Sequence, residues 1–273
     1  MIYLVATPVG NLSDITFRAL ETLKSVDYIL CEDTRVSQQL LSHYAIKKPL
    51  VSYHKYSESS QQERILSDLK EGKKIALISD AGTPGIADPG AQLVAACRSE
   101  AIPVTPIPGA CAAITALCAS GLPTDLFQFI GFLPKKRGEL QESLKMACLY
   151  PGTTIAYESP HRLLDTLALL KELSPNCLVV IARELTKVYE EFVQGTPAMI
   201  LEHFATSPLK GEIVLMLQGG APLPSTSEDL TPLEHVAKLI QTEGLSTKEA
   251  IATVAKQRGL NKRTLYKLFT LSS

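Results

Sequence analysis

The strongest constraint on the fold is a regular alternation of short apolar runs and amphipathic stretches along the first half of the chain. Apolar residues recur every three or four positions in the amphipathic stretches, as they do on one face of a helix. Strand, helix and strand repeated in this way predict a mostly parallel sheet covered by helices. The predicted strands are IYLVA, DYILC, PLVSY, IALIS and IPVTPI, which begin at Ile2, Asp27, Pro49, Ile75 and Ile102.

The second half has a different pattern, in which the predicted strands follow one another more closely. They read FQFIGF, TTIAYE, CLVVIA, VYEEFVQG and EIVLMLQ. Neighbouring strands of this kind predict a mixed sheet with antiparallel members. We therefore predict an α/β protein with an N-terminal domain over residues 1–115, a C-terminal domain over 116–220 and a small helical tail domain over 228–273. The segment GGAPLPSTSED has the composition of a linker before the tail.

The composition excludes several classes of protein. The chain has 273 residues, 45% of them hydrophobic, and a net charge of −1, which is typical of a globular protein without an overall nucleic-acid signature. Six scattered cysteines without a CxxC pair predict buried thiols in a reducing cytosol and no metal site. No apolar run approaches the roughly 20 residues of a membrane span, and the N-terminus is predicted to be a strand. We expect a soluble, cytoplasmic protein.

Ligands of parallel sheets bind in the loops that follow the carboxyl ends of the strands. The loop after the first predicted strand begins TPVGN, and Ser13 or Asp14 is expected to cap a helix from Ile15. The loop after the fourth reads ISDAGTPGIADPG and carries Asp80 and Asp88 but no lysine or arginine. It matches neither the P-loop nor the dinucleotide fingerprint, and its acids favour hydroxyls, amines or a cation.

The fifth predicted strand leads into PIPGACAAI, in which Pro108 and Gly109 turn into the small residues that open a helix. Small side chains there allow a flat group to lie against the backbone. This loop and the acidic loop together predict a pocket for a cationic, nucleoside-like ligand. We expect Asp80 to face the ligand and Asp88 to cap the helix that follows it.

Charged side chains also follow several predicted strands, and they are candidates for acid–base chemistry. A surface ion pair with a helix N-cap at Asp33 or Thr34 is an alternative explanation for the first group. His161 is a possible base by type, but a capping role explains it as well. The candidates are Glu32, Asp33, Arg35, His54, Glu158 and Arg162.

The tail reads as three short helices with N-caps at Thr231, Ser246 and Asn261. Its last two helices have the outline of a helix-turn-helix and are rich in basic residues, which suits a nucleic-acid backbone but also an ordinary solvated face. The basic residues are Lys248, Lys256, Arg258, Lys262, Arg263 and Lys267.

Several ordered motifs together resemble one family, the tetrapyrrole-methylase-like S-adenosylmethionine (SAM) methyltransferases. They are YLVATPVGNLSDIT, CEDTR, ISDAGTPGIADPG, PIPGACAAITAL, GFLPKK, YESPHR, ARELTKVYEE and GEIVL, and they span residues 3–215. Within that family they are most similar to the enzymes that methylate the ribose 2′-oxygen of a cytidine in the decoding region of small-subunit ribosomal RNA. The resemblance implies SAM in a cleft between two α/β domains, in-line attack of the 2′-oxygen on the methyl group, a homodimer, no metal, and the small ribosomal subunit as partner.

The resemblance also implies roles for particular residues of this sequence. Cofactor contacts are carried over to Pro8, Asp80, Gly82, Thr83, Ile86, Pro108, Gly109, Ala110, Cys111 and Tyr157. RNA contacts in the tail are expected at Lys256, Arg258, Lys262, Arg263 and Lys267. The family pattern does not single out a general base among the six candidates.

Two other functions remain open at this point. The first is a methylase of the same fold that acts on a small tetrapyrrole precursor. The second is a helix-turn-helix regulator whose α/β part senses a nucleoside. The basic tail and the motifs CEDTR, ESPHR and ARELTK argue against the first, and turnover of SAM would exclude the second.

Overall fold

The computed structural model describes residues 1–54, 58–205, 210–220 and 231–272. These residues belong to two compact units, which comprise residues 1–221 and 222–273. Each unit is described by itself.

The first half of the larger unit contains a five-stranded sheet of order β3-β2-β4-β1-β5, in which every pair is parallel. Its strands are β1 (Ile2–Val5), β2 (Tyr28–Cys31), β3 (Leu50–Ser52), β4 (Ile75–Leu77) and β5 (Val104–Ile107). Its helices are α1 (Phe17–Ser25), α2 (Thr34–His43), α3 (Glu58–Lys70), α4 (Ala91–Ser99) and α5 (Ala112–Ala119). The predicted parallel sheet is confirmed.

This sheet is apolar on both faces, which explains why its strands read as continuous hydrophobic runs. One face carries Ile2 and Leu77, which pack with residues of α3 and α4. The other face carries Val5 and Ile29, which pack with residues of α1 and α2. Because both faces are covered, the edge where the strands end is the part of this sheet left open to a ligand.

The second half of the unit contains a mixed sheet of order β6-β7-β10-β8-β9. Its strands are β6 (Phe127–Phe132), β7 (Thr153–Glu158), β8 (Val179–Arg183), β9 (Glu191–Gly195) and β10 (Ile213–Gln218), and its helices are α6 (Arg137–Leu149), α7 (Pro160–Leu173) and α8 (Pro197–Ala205). β6 and β7 are parallel, and the other pairs are antiparallel. The predicted mixed sheet is confirmed. The division at residues 115 and 116 falls within α5 and stays a prediction.

One predicted helix start is wrong. Residues Leu12–Asp14 form a 3₁₀ turn instead of leading into a helix at Ile15, and Asn11 accepts the hydrogen bond of the Ser13 N–H at 3.0 Å. The helix α1 begins at Phe17, because the Thr16 hydroxyl accepts the N–H of Ala19 at 3.1 Å. Thr16 has an extended backbone, which is the conformation that an N-cap residue requires.

The smaller unit consists, over its described residues, of α9 (Pro232–Glu243), α10 (Thr247–Gln257) and α11 (Lys262–Ser272). Thr231 and Ser246 form capping boxes with Glu234 and Glu249, and the Asn261 side chain accepts the N–H groups of Arg263 and Thr264. The three predicted caps are therefore confirmed. Apolar residues of the helices form a separate core, which includes Val236, Leu239, Ile251, Val254 and Leu265.

Residues 221–230, which contain most of the predicted linker, lie outside the described residues. Within the described ranges, no helix is long and apolar enough to cross a membrane.

Candidate functional site

The larger unit has a cavity of about 430 Å³ at the carboxyl ends of β1, β2, β4 and β5. Loops from the first sheet form one side, and residues of the second sheet form the other. The cavity is lined by Val9, Glu32, Asp80–Thr83, Ile86, Asp88, Cys111, Ala112, Phe132, Tyr157–Pro160, Leu185 and Gly211–Val214. The cavity thus lies at the edge of the first sheet where the strand-end rule predicts a ligand site.

Hydrogen bonds between the loops hold the floor of the cavity in place. Thr7 and Gly82 form an isolated antiparallel bridge, with N–H to carbonyl distances of 2.9 and 3.0 Å. The Thr7 hydroxyl donates to the carbonyl of Ser79 at 3.0 Å, and the Thr83 hydroxyl donates to the carbonyl of Ala110 at 3.0 Å. The acidic loop is thus attached to the loop after β1 and to the loop after β5. Gly82 has a φ of +80°, which explains why glycine occupies this turn.

Five carboxylates line this cavity, and three of them, Glu32, Asp80 and Asp88, interact electrostatically with one another. Burial raises the pKa of Asp88 to about 6, and the charges of Glu32 and Asp80 add to that rise. Burial is also the main reason why the pKa values of Glu32 and Asp80 are raised. Among the described residues, no lysine, arginine or histidine lines the cavity. The site therefore has an excess of negative charge, which favours a cationic ligand.

The expectation that Asp88 caps a helix is wrong. The N-cap residue of α4 is Gly90, and no side chain makes a capping hydrogen bond there. Gly85, Ala87 and Gly90 all have positive φ, so the backbone on either side of Asp88 is left-handed rather than that of a regular helix start. As a result Asp88 lies on the cavity, where it becomes the third member of the carboxylate group.

The CEDTR residues separate into two environments. Glu32 lies on the cavity, and the nearby His54 partly offsets the rise in its pKa. Asp33 is the N-cap of α2, and its carboxylate pairs with Arg35 at 2.6 Å, which lowers the pKa of Asp33 to about 2. Arg35 is 86% exposed. The alternative of a local ion pair with an N-cap therefore describes Asp33 and Arg35, although the Asp33 N–H also donates to Asp80 at 3.1 Å.

Glu158 and Arg162 form a buried ion pair beside the cavity. The Glu158 side chain is 1% exposed and lies 3.3 Å from the Arg162 guanidinium. The same carboxylate accepts the Ser159 N–H at 2.7 Å and the Thr166 hydroxyl at 2.8 Å. Arg162 in turn donates to the carbonyls of Leu133 and Pro134 in the loop after β6. These contacts occupy both side chains with protein partners.

Six of the ten expected cofactor residues lie on the cavity, namely Asp80, Gly82, Thr83, Ile86, Cys111 and Tyr157. The other four, Pro8, Pro108, Gly109 and Ala110, do not line it. Ala110 directly precedes the lining residue Cys111, and its carbonyl accepts the hydrogen bond of the Thr83 hydroxyl. Gly109 packs against Ala6, the residue just after β1, because a Cβ atom on Gly109 would lie 2.8 Å from that of Ala6.

The sequence reasoning named Tyr157 but missed Phe129 and Phe132, the two aromatic side chains that contact it. Tyr157 makes edge contacts with Phe129 and Phe132, at centroid distances of 4.8 and 5.3 Å. Burial raises the pKa of Tyr157 to about 12. Phe132 also lines the cavity, and the glycine just before it in an otherwise apolar strand was the one signal of its unusual position. Leu185 and Glu212, which lie on the cavity as well, fall in the motifs ARELTKVYEE and GEIVL but were not named as site residues.

In the smaller unit, four of the five expected RNA contacts are exposed, namely Lys256, Lys262, Arg263 and Lys267. Arg258 is half-buried and donates to Nδ1 of His235 at 3.3 Å, so it contributes to the packing of its own unit. Within the described chain, no three His, Cys, Asp or Glu side chains are arranged to hold a metal ion.

The fold is that of a class of methyltransferases. The diphthine synthase structure matches 80% of this chain and 89% of its own, with a TM-score of 0.63 and 12% identity. A cobalt precorrin-4 methyltransferase matches 81% of this chain and 96% of its own, with a TM-score of 0.58 and 20% identity. Likeness at these identities establishes the fold.

A sequence model of the tetrapyrrole (corrin/porphyrin) methylases matches residues 1–200. The ribosomal RNA small subunit methyltransferase I of Halalkalibacterium halodurans is 47% identical over 98% of this chain and 94% of its own length. That of Haemophilus influenzae is 46% identical over 97% of this chain and 95% of its own length. The chain therefore belongs to the tetrapyrrole methylase family, and the predicted methyl donor, SAM, follows from that membership.

Proposed function

We propose that this protein transfers a methyl group from SAM to the ribose 2′-oxygen of a cytidine in small-subunit ribosomal RNA. The observation that carries the proposal is the similarity to the ribosomal RNA methyltransferases, which extends over 97–98% of the chain and so includes the basic tail. The tetrapyrrole and diphthine enzymes match only 80–81% of it. The cavity supports the same proposal, because its acidic lining would attract the positive charges of SAM.

The described residues of the cavity fit SAM. When bound, SAM supplies a methyl group that its sulfonium activates for transfer. Asp80 and Asp88 would attract the positive charges of the ligand, and Tyr157 and Ile86 would pack against its apolar parts. Gly82, Thr83 and Cys111 would bring backbone and small side chains close to it. The loops that carry these lining residues would be held in their conformation by Pro8, Pro108, Gly109 and Ala110, which do not line the cavity themselves.

Of the six candidates for acid–base chemistry, Glu32 is the one best placed to accept the proton of the 2′-hydroxyl. It lies on the cavity, and burial raises its pKa, which makes the carboxylate a better proton acceptor. Glu158 also lies there, but three protein partners occupy its carboxylate. Asp33, Arg35, His54 and Arg162 do not line the cavity and would act on substrate position or on charge.

The proposed partners follow from the same reading. The substrate would be the small ribosomal subunit or its RNA, and the protein would act in the cytoplasm as a homodimer. The exposed basic residues of α10 and α11 would contact the RNA backbone, and of the RNA only the target nucleotide would enter the cavity beside SAM.

A transfer assay with radiolabelled SAM tests the proposal against its competitors. Small subunits that lack the modification, free ribosomal RNA, duplex DNA and a porphyrinogen are each offered as acceptor. We expect label in the subunits or the free RNA. Label in the porphyrinogen alone would favour a tetrapyrrole methylase, and sequence-specific DNA binding without transfer would favour a regulator.

A further inference from the structure

The edge strand β6 contains one residue more than its neighbour β7 in the stretch that ends at Phe132. Phe129 pairs with Ile155 and Phe132 pairs with Tyr157, so three steps along β6 match two steps along β7. Gly131, with a φ of +71°, provides the left-handed residue of this bulge. In an unbroken ladder Phe132 would point to the opposite face of the sheet. The extra residue therefore turns Phe132 toward Tyr157 and the cavity.

Phe132 remains largely uncovered in this position. It is 63% exposed, although it lines the cavity and its ring contacts that of Tyr157. Single exposed apolar side chains are common on protein surfaces, but this one also lines a cavity, so its uncovered face is available to a ligand. Phe127, at the other end of the same strand, is 41% exposed but does not line the cavity. Phe127 can therefore serve as the control for Phe132 on the same strand.

The charges around the cavity decide which part of a nucleotide can enter it. Glu32, Asp80 and Asp88 repel phosphate, and no basic side chain among the described lining residues offsets them. Three exposed basic residues, Lys135, Lys136 and Arg137, follow Phe132 closely in the chain but do not line the cavity. A nucleotide would therefore enter with its base and sugar, while its flanking phosphates remain outside with these basic residues.

The connection between Phe132 and the basic residues is fixed by the Glu158–Arg162 pair. Arg162 donates to the Leu133 carbonyl at 3.2 Å and to the Pro134 carbonyl, and it is itself held by Glu158. Fixed geometry of this kind is what a recognition site needs, because a loosely held side chain would lose entropy on binding. Glu158 and Arg162 are then positioning residues rather than catalytic ones.

We infer that Phe132 is the platform on which the base of the target nucleotide stacks after it leaves the RNA stack. The inference rests on the proposed RNA substrate and adds the contact that would hold the base. Enzymes that modify a nucleotide within RNA commonly expose the base and stack it on an aromatic side chain. Stacking is indifferent to charge, so it suits an acidic cavity that repels phosphate.

The test compares F132L, which keeps apolar area but loses the aromatic face, with F132Y, which keeps the face. F127L is the control from the same strand. For F132L we expect the KM for small subunits to rise about 5- to 100-fold, the range that one base–aromatic stack provides. The Kd for S-adenosylhomocysteine, measured by calorimetry, should stay within about twofold of wild type. F127L should behave like wild type in both measurements, and F132Y should have a KM much closer to that of wild type than F132L has.

Two results would overturn the inference. A wild-type KM in F132L would show that no base stacks there, and an equal loss of S-adenosylhomocysteine affinity would place Phe132 against the cofactor instead. The KM requires an active wild-type protein, whereas the Kd for S-adenosylhomocysteine does not. A wild type that fails to methylate RNA would contradict the proposed function itself, and the two failures are therefore distinguishable.

Discussion

At the scale of single residues, the most informative feature is the group formed by Glu32, Asp80 and Asp88. Burial is the main reason why the pKa of Asp88 rises to about 6, and repulsion from the charges of Glu32 and Asp80 adds to that rise. A cationic ligand would relieve the repulsion. The site therefore reduces the stability of the free protein in exchange for ligand affinity, a common arrangement in binding sites.

The first prediction concerns the pH dependence of SAM binding. Asp88 loses its proton as the pH rises through about 6, so we expect SAM affinity to increase between pH 5 and pH 7. D88N should remove most of this increase and weaken binding at pH 7 by roughly 5- to 10-fold, as one partly solvated charge pair contributes on the order of 1 kcal/mol. Calorimetric titrations measure this, and S-adenosylhomocysteine is the control ligand. Because it lacks the sulfonium charge, we expect its affinity to depend less on pH. Equal pH profiles for D88N and wild type would contradict the role of Asp88.

The second prediction concerns stability without ligand. The pKa of Asp88 is higher in the folded protein than the ordinary value of 3.8, so its ionisation lowers stability as the pH rises from about 4 to 6, and the loss is complete above that range. D88N should therefore raise the Tm of the free protein at pH 8, by on the order of 2 °C. The difference should shrink toward pH 4. Thermal melts measure this, with D125N, at an exposed aspartate, as the control. A Tm of D88N below that of wild type at pH 8 would contradict the prediction.

The third prediction concerns Arg162. R162M would leave the buried Glu158 without its charged partner, which typically costs about 3 kcal/mol of unfolding free energy. It would also release the Leu133 and Pro134 carbonyls. We expect a raised KM for small subunits, a Kd for S-adenosylhomocysteine near wild type, and partial rescue in R162K. Lost stability with an unchanged KM would leave Arg162 a purely structural role.

Local sequence patterns predicted some of these residues and misplaced others. Asp80 was predicted to face the ligand from its position at a strand end, and it lies on the cavity. Asp88 was misassigned, because an acid shortly before a helix is the usual N-cap pattern. The left-handed conformations of Gly85 and Ala87, which direct the loop elsewhere, depend on contacts that the local sequence does not encode.

At the scale of elements, the strand β6 was predicted as a strand but its bulge was not. A glycine in a strand suggests a bulge, yet whether one forms depends on the partner strand and its register. Here the partner β7 lies 20 or more residues further along the chain, and only the pairing with Ile155 and Tyr157 shows the extra residue. Most of the ten predicted strands, in contrast, were recognisable because they are compact apolar runs.

The fourth prediction tests the bulge with two glycines. G131A forces an alanine to a φ of +71°, and no atom within 4 Å would clash with its Cβ. We expect a loss of about 1 kcal/mol from backbone strain alone. Gly138 in α6 is equally open but has an ordinary φ, so G138A should stabilise the protein by up to about 1 kcal/mol. Urea titrations compare the two, and equal effects of both variants would contradict the bulge.

At the scale of the whole molecule, the site is assembled from two sheets of different character. The first sheet's contribution was predictable, because parallel strands bring their carboxyl ends to one edge. The second sheet's contribution, including Leu185 and Glu212, depends on how that sheet packs against the first, which no spacing along the chain indicates. The basic tail was predictable as a set of helices, since its caps and core are local in sequence.

The fifth prediction separates the two units by function. Every residue that lines the cavity belongs to residues 1–221, so changes in the tail should leave SAM affinity unchanged. Replacing Lys256, Lys262 and Arg263 by glutamine should weaken binding to small subunits, and each lost phosphate contact should lower the salt dependence of log Kd by about 0.7 to 0.9. Binding titrations over a range of salt concentrations measure this slope. An unchanged slope would show that the tail does not contact the RNA backbone.

The central claim is that the cavity directs a methyl group to a ribose oxygen of ribosomal RNA. The most direct measurement uses SAM with a deuterated methyl group, small subunits that lack the modification, and mass spectrometry of the nucleosides after digestion. Fragmentation separates the ribose from the base, so it locates the label within the nucleoside. The account predicts labelled cytidine with the deuterated methyl on its ribose. Label on a base, or unlabelled RNA with an active preparation, would contradict it.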